Sequence, residues 1–114
     1  MNGYSAYGRV QNTTENPRSV EFRLLAQVTA ALREAKDNAQ DKQKLYDALI
    51  WNKKVWDTFA LDLVDERNQL PKELKQSLVK LSAWVSKHTF AVMDGEGEIG
   101  ALIDVNANVM EGLK

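Results

Sequence analysis

The side chains that could carry out catalysis are few in this sequence. His88 is the single histidine, it lies on an apolar helical seam, and the chain has no cysteine. An imidazole titrates near neutral pH, so His88 could act as a general base or as a pH switch. Nucleophilic catalysis needs a second group paired with the base, and no such partner accompanies His88 in the sequence. We therefore expect a hydrogen-bonded histidine in the core or at its rim, and a chain that is not an enzyme.

An acidic turn with glycines is the one stretch that suggests an ion or a phosphate. Asp94, Glu96 and Glu98 offer the oxygen ligands that calcium prefers. The twelfth position from Asp94, where a calcium loop has a bidentate glutamate, is Val105. The glycines do not form a phosphate loop, because no strand precedes them and no Gly-Lys-Ser/Thr follows. We expect neither a metal ion nor a cofactor.

Two asparagines occupy the centres of apolar helical faces. Asn52 lies on the stripe that includes Trp56, and Asn106 lies between Ile103 and Met110. An unpaired buried amide costs about 1–3 kcal/mol, so each side chain needs a partner. We expect the two amides to bond to each other or to nearby backbone and to fix the register of their helices. The alternatives are that each amide lies near water at a bundle end, or that it contacts a ligand.

The composition is that of one small globular domain. Of 114 residues, 44% are hydrophobic and 27% charged, with a formal net charge of −1. No apolar run approaches the roughly 20 residues of a membrane span, and the N-terminal residues lack the apolar core of a signal peptide. We expect a cytoplasmic protein without membrane insertion. Direct binding of nucleic acid is not expected, because acidic residues interleave the candidate lysines, which are Lys53, Lys54, Lys72, Lys75, Lys80 and Lys87.

The apolar pattern predicts four amphipathic helices after an N-terminal arm. Residues 1–16 are polar and aperiodic, so we expect a flexible arm. The predicted helices begin near Asn16-Pro17, after the cap Asp41, at Pro71 and at Ile99, and they end near Ala35, Glu66, Met93 and Leu113. Short connections between such helices indicate an all-α antiparallel bundle over residues 17–114.

Several apolar side chains lie outside the predicted core stripes. Trp56 is expected in the core and Trp84 beside the seam of the third helix, whereas Trp51 points away from its stripe. Minor strips on the second and third helices contain Ile50, Leu61, Val79 and Phe90. Such strips are either sandwiched inside the bundle or available as a groove for another chain.

Five segments, in this order, carry a resemblance to a known family: YSAY, ENPRSVEFRLLAQVTAAL, ALIWNKKVWDTFALDL, NQLPKELKQSLVKLSAWVSKHT and LIDVNANVMEGL. Over nearly the whole chain the sequence resembles the flagellar biosynthesis regulator family FlaF. The resemblance implies a cytoplasmic chaperone or regulator that binds flagellin and is needed for flagellin synthesis and secretion. It also implies action alongside a second regulator, FlbT, which restrains translation of flagellin mRNA.

The surplus apolar strips and the resemblance lead together to a binding hypothesis. A helical bundle can hold an amphipathic flagellin segment in a groove and so prevent premature polymerisation. The predicted contacts are Ile50, Trp51, Leu61, Val79 and Phe90, with Tyr4 and Tyr7 of the arm closing over the segment. One alternative is post-transcriptional regulation of flagellin mRNA, directly or through FlbT. Another is a structural dimer in which the strips pair with themselves.

Overall fold

The computed structural model of the chain describes residues 17–113. Four α-helices follow one another: α1 (Pro17–Asp37), α2 (Lys42–Leu63), α3 (Lys72–Met93) and α4 (Ile99–Leu113). Residues 17–113 contain no β-strand, and none of their helices is long and apolar enough to cross a membrane. The predicted all-α bundle of four helices is confirmed. The predicted arm at residues 1–16, with Tyr4 and Tyr7, lies outside the described residues.

The helix boundaries have local causes that the sequence indicates. Asp41 caps α2, because its carboxylate accepts a hydrogen bond from the Lys44 backbone N–H at 3.0 Å. At the end of α3, Gly95 has a φ of +78°, which a glycine adopts without a steric penalty. The Glu96 N–H then donates to the Ala91 carbonyl at 2.8 Å, closing the helix with a Schellman motif.

The second helix ends at Leu63, earlier than the predicted end near Glu66. The cause is a side-chain turn that the apolar pattern does not reveal. The Asp65 carboxylate accepts hydrogen bonds from the Arg67 backbone N–H at 2.8 Å and from its guanidinium at 2.7 Å. These contacts form a turn after α2. Pro71 then occupies the N-cap position of α3, and its ring fixes the φ angle of that residue.

The four helices pack around one core in a cyclic order. The first helix lies against both α2 and α4, whereas α3 lies against the opposite side of α2 and meets α4 less closely. Each helix contributes fully buried apolar side chains, among them Leu25, Leu32, Leu49, Trp56, Val85 and Leu102. Since α1 and α3 flank α2 without packing on each other, two separate helix–helix interfaces run along α2. The candidate docking surfaces lie at these two interfaces.

Candidate docking surfaces

A hydrogen-bonded chain of three buried side chains joins α2 to α4. The Trp56 Nε1–H donates to Asn106 Oδ1 at 2.8 Å, and the Asn106 Nδ2–H donates to Asn52 Oδ1 at 2.8 Å. All three side chains are completely buried. The expected bond between the two asparagines is therefore present, and Trp56 is an additional member that its place on the apolar stripe did not predict. That the bond fixes the register of the helices stays a prediction.

The histidine lies at the junction of α3 and α4. His88 Nε2 is 2.8 Å from the Glu98 carbonyl oxygen, a contact in which the ring nitrogen is the donor, since a carbonyl only accepts. The ring stacks on Trp84, with 4.6 Å between the ring centroids. His88 is thus the hydrogen-bonded rim histidine that the sequence suggested. No metal-binding group of three or more acidic, histidine or cysteine side chains occurs among residues 17–113.

A groove of about 510 Å³ lies between α1 and α2. We call it the α1–α2 groove; its apolar lining consists of Val20, Leu24, Leu25, Trp51, Val55 and Phe59. Glu21, Lys54 and Asp62 add charges of both signs. Leu25 and Phe59 are buried, so the groove has a floor of core side chains. An apolar floor beneath a charged edge is suited to one face of an amphipathic helix.

Trp51 lies where this groove meets a second hollow. The hollow, about 410 Å³, continues along the same two helices and includes Ala31, Glu34 and Ala48. The indole of Trp51 lines both cavities and is 41% exposed. The stretch of α1 from Val20 to Glu34 measures about 21 Å at the rise of an α-helix. The combined length therefore fits a partner helix of about 14 residues.

An ion pair and a hydrogen bond lie at the edge of that hollow. Lys44 Nζ on α2 lies 2.5 Å from Glu34 Oε1 on α1, and the Glu34 carboxylate raises the pKa of the Lys44 amine above its ordinary value. Gln43 donates to Asp47 at 2.8 Å on the same edge. Exposed contacts of this kind contribute little to stability, so their effect here is to shape the edge of the hollow.

A crevice of about 530 Å³ separates the end of α2 from the beginning of α3. We call it the α2–α3 crevice; its lining consists of Leu63, Val64, Lys72, Lys75, Gln76, Val79 and Lys80. Leu63 is buried, whereas Val64 is 67% exposed. Lys75 Nζ donates to the Asn68 carbonyl at 3.0 Å and so ties the connecting loop to α3. None of the described residues that line the crevice is acidic.

The predicted contact residues are exposed, but they belong to more than one surface. Leu61 is 73% exposed and Phe90 53%, so the interpretation that the minor strips are sandwiched inside the bundle is wrong for them. Ile50 is also exposed and lies three turns from Leu61 on the same side of α2. Trp51 instead lines the α1–α2 groove, and Val79 lines the α2–α3 crevice.

Sequence reasoning missed the residues that complete the two cavities. Val20, Leu24 and Val55 join Trp51 in the groove, yet on separate helical wheels they are ordinary flanks of a core stripe. On the sequence alone, Lys72 and Lys80 are candidate contacts for phosphates, whereas the structure places them at the edge of an apolar crevice. Their spacing near Val79 on one helix was the available signal.

The comparison with protein families covers almost the entire chain. A family model described as flagellar protein FlaF matches residues 4–113. Searches of curated proteins and of solved structures found no match. The resemblance carried by the five sequence segments is thereby confirmed, and the chain belongs to the FlaF family of flagellar proteins.

Proposed function

We propose that this chain is a cytoplasmic chaperone and regulator that binds flagellin and supports its synthesis and secretion during flagellum assembly. Membership of a flagellar family is consistent with a role in flagellum biogenesis. The observation that carries the binding function is the α1–α2 groove, with the exposed indole of Trp51 at its junction with the second hollow.

The proposed ligand is an amphipathic helical segment from one end of flagellin. Its apolar side chains, repeating every third or fourth residue, would lie on Leu24, Val55 and Phe59, with Trp51 as the central anchor. Tryptophan is among the residues that contribute most to binding energy at interfaces, because it buries a large rigid surface. Covering the apolar face of a terminal segment keeps flagellin from polymerising before export.

The exposed side chains outside the groove add a second contact area to this proposal. Ile50 and Leu61 lie on the solvent-facing side of α2, and the Phe90 ring on α3 is 5.9 Å from Lys53 Nζ of α2. Their contact with flagellin stays a prediction. A longer flagellin segment that leaves the groove across α2 would reach them, whereas a segment confined to the groove would not.

The experiment is a quantitative binding measurement with full-length flagellin and with flagellin truncated at either end. Trp51→Ala should weaken the interaction by about tenfold or more, the equivalent of about 1.4 kcal/mol. Trp84→Ala is the matched control, because Trp84 is similarly exposed but stacks on His88 at another part of the bundle. Phe90→Ala tests the contact across α2.

Each result bears on a different part of the proposal. Unchanged affinity of Trp51→Ala would remove the groove as the binding site. Absence of binding between the wild-type chain and any form of flagellin would remove the chaperone function. Binding to flagellin mRNA instead, with an affinity that falls steeply as salt increases, would support direct translational control. A change in flagellin translation that requires FlbT would support control through that regulator.

A further inference from the structure

We propose that the α2–α3 crevice is a second docking surface, which binds an acidic amphipathic helix of a protein partner. This partner is separate from the segment proposed for the α1–α2 groove, and the inference does not depend on that function. It rests on two properties of the crevice: an exposed apolar wall and an edge whose charges all have one sign.

The charge of the crevice departs from that of the chain. The protein has a formal net charge of −1, yet the charged residues described in the crevice lining are Lys72, Lys75 and Lys80. Lys75 is already hydrogen-bonded to the Asn68 carbonyl, so Lys72 and Lys80 supply the exposed cationic edge. A carboxylate-bearing partner would complement this edge, whereas a basic partner would be repelled.

Carboxylates close to the crevice in sequence do not neutralise this edge. Asp65 belongs to the loop between the two helices, and its oxygens bind the Arg67 side chain at 2.7 and 3.0 Å. Glu66 and Glu73 are exposed and do not line the crevice. The charged side chains that a partner meets inside the described crevice lining are therefore lysines.

The apolar part of the crevice specifies a helix with two faces. Val64 and Val79 are exposed above the buried side chain of Leu63, so a partner's aliphatic residue can enter between them. Lys72 and Lys80 lie about 12 Å apart along α3, which is the length of about two helical turns. A partner helix with leucines on one side and glutamates beside them therefore matches both features.

The same features favour a peptide over RNA. The described lining of the crevice has no aromatic side chain on which a base could stack, and it has lysines rather than arginines. Its floor is aliphatic, and a phosphate backbone gains nothing from covering Leu63 and Val64. RNA binding is thus a separate outcome that the experiment distinguishes.

The test uses the full chain and a fluorescent helical peptide of about 14 residues with leucines on one face and glutamates on the other. Binding is followed by anisotropy over a series of salt concentrations. The wild-type chain should bind the peptide, and the double substitution K72E/K80E should weaken binding about tenfold or more. The matched control K42E/K87E changes the charge equally at exposed lysines outside the crevice and should leave the affinity unchanged.

A second pair of substitutions separates the apolar contribution from the charges. V64S/V79S should lower the peptide affinity several-fold while the dependence on salt stays as in the wild type. K72E/K80E should instead remove most of the salt dependence. Circular dichroism and thermal unfolding of each variant establish that the bundle is intact, so that loss of binding reports the crevice itself.

Several results would overturn the proposal. These are no binding to the wild-type chain, equal binding to K72E/K80E, and an equal loss in K42E/K87E. Binding of a single-stranded RNA probe that requires Lys72 and Lys80, without peptide binding, would assign the crevice to phosphates. Flagellin binding that Trp51→Ala reduces, combined with failure of the peptide, would overturn this inference and leave the proposed function in place.

Discussion

The α1–α2 groove and the α2–α3 crevice are nearly equal in volume, about 510 and 530 Å³, and both use side chains of α2. They differ in what surrounds the apolar floor. The groove contains Trp51 and charges of both signs, whereas the charged residues described in the crevice lining are lysines. Size therefore does not distinguish the partners that we propose for them. The aromatic anchor in one cavity and the uniform charge in the other do.

The two floors have a common origin in the packing of α2. Phe59 lines the groove and Leu63 lines the crevice; they are one turn apart on α2, and both are buried in the core. Substitutions in the core should therefore affect both cavities together, whereas substitutions at the edges should affect one.

The largest expected effect comes from the buried hydrogen-bond chain. Asn106→Ala removes the acceptor of Trp56 Nε1 and the donor to Asn52 Oδ1, leaving two buried polar atoms unpaired. The free energy of unfolding should fall by about 2–4 kcal/mol, measured by chemical denaturation. Asn108→Ala is the control, because Asn108 is exposed on the same helix and should change stability by less than about 0.5 kcal/mol. Equal losses in the two variants would show that the hydrogen-bond chain is not important for stability.

Asn52→Leu provides a smaller perturbation of the same chain. Among residues 17–113, Asn52 Nδ2 is a buried donor without a partner. Leucine at this position removes that unpaired donor, but it also removes the acceptor of Asn106 Nδ2, which then becomes unpaired. The loss of unfolding free energy should therefore be smaller than in Asn106→Ala, on the order of 1 kcal/mol. If the bond also fixes the helix register, this variant should fold with broadened NMR signals for α2 and α4. Sharp, wild-type spectra would contradict the register prediction.

The next effect separates the two cavities. Trp51→Ala should weaken flagellin binding about tenfold or more and leave the affinity for the acidic peptide unchanged. Val79→Ser should weaken binding of the acidic peptide and leave flagellin binding unchanged, because Val79 lines the crevice and does not line the groove. Both residues are exposed, so their substitution should change stability little. Loss of both ligands in either variant would mean that the cavities are one continuous site.

A smaller effect is expected from one charge reversal made at each edge. Lys80→Glu should lower the affinity for the acidic peptide several-fold, since it places a carboxylate on the crevice. Lys54→Glu makes the same change at the α1–α2 groove and should leave peptide affinity unaltered. Anisotropy titrations at low and at physiological salt measure both. Equal responses would indicate long-range attraction by total charge and not recognition at the crevice.

The sequence was sufficient for the fold because local signals and the apolar pattern agree. Asp41, Pro71 and Gly95 mark helix boundaries by capping, by a fixed φ and by a positive φ, and the structure has boundaries at these positions. The bond between Asn52 and Asn106 followed from the cost of burying an amide. The predicted end of α2 was less accurate, because the Asp65–Arg67 turn is formed by side-chain contacts that leave no apolar periodicity in the sequence.

The cavities were harder to predict, since each is formed by two helices. A helical wheel gives the direction of Trp51 but does not say that Val20 and Leu24 of α1 lie beside it. Nor does it place Val64, the residue that follows α2, next to Val79 of α3. Which helices are neighbours depends on the packing of the whole bundle. The predicted contact residues were therefore recognised as exposed apolar groups without being divided correctly between surfaces.

The smallest effect concerns the loop beside the crevice. Hydrogen bonds from Arg67 lower the pKa of the Asp65 carboxyl well below its ordinary value, and the same pair raises the pKa of Arg67. Since the folded-state pKa of Asp65 is lower than that of the unfolded chain, the pair stabilises the fold above about pH 4. This contribution is lost as the pH falls through the lower, folded value. Its magnitude is small because both side chains reach solvent.

Arg67→Ala tests this pair and its influence on the neighbouring crevice. The pKa of Asp65 should rise toward its ordinary value, measured by NMR titration of the carboxyl carbon, whereas the loop control Gln69→Ala should leave it low. The carboxylate, which then keeps the backbone N–H of residue 67 but loses the guanidinium, should also weaken binding of the acidic peptide slightly. Flagellin binding should not change, since Asp65 follows the crevice residue Val64 in the chain and does not line the groove. Identical titration of Asp65 in both variants would show that Arg67 does not control its charge, and the adjoining lysines would then act alone.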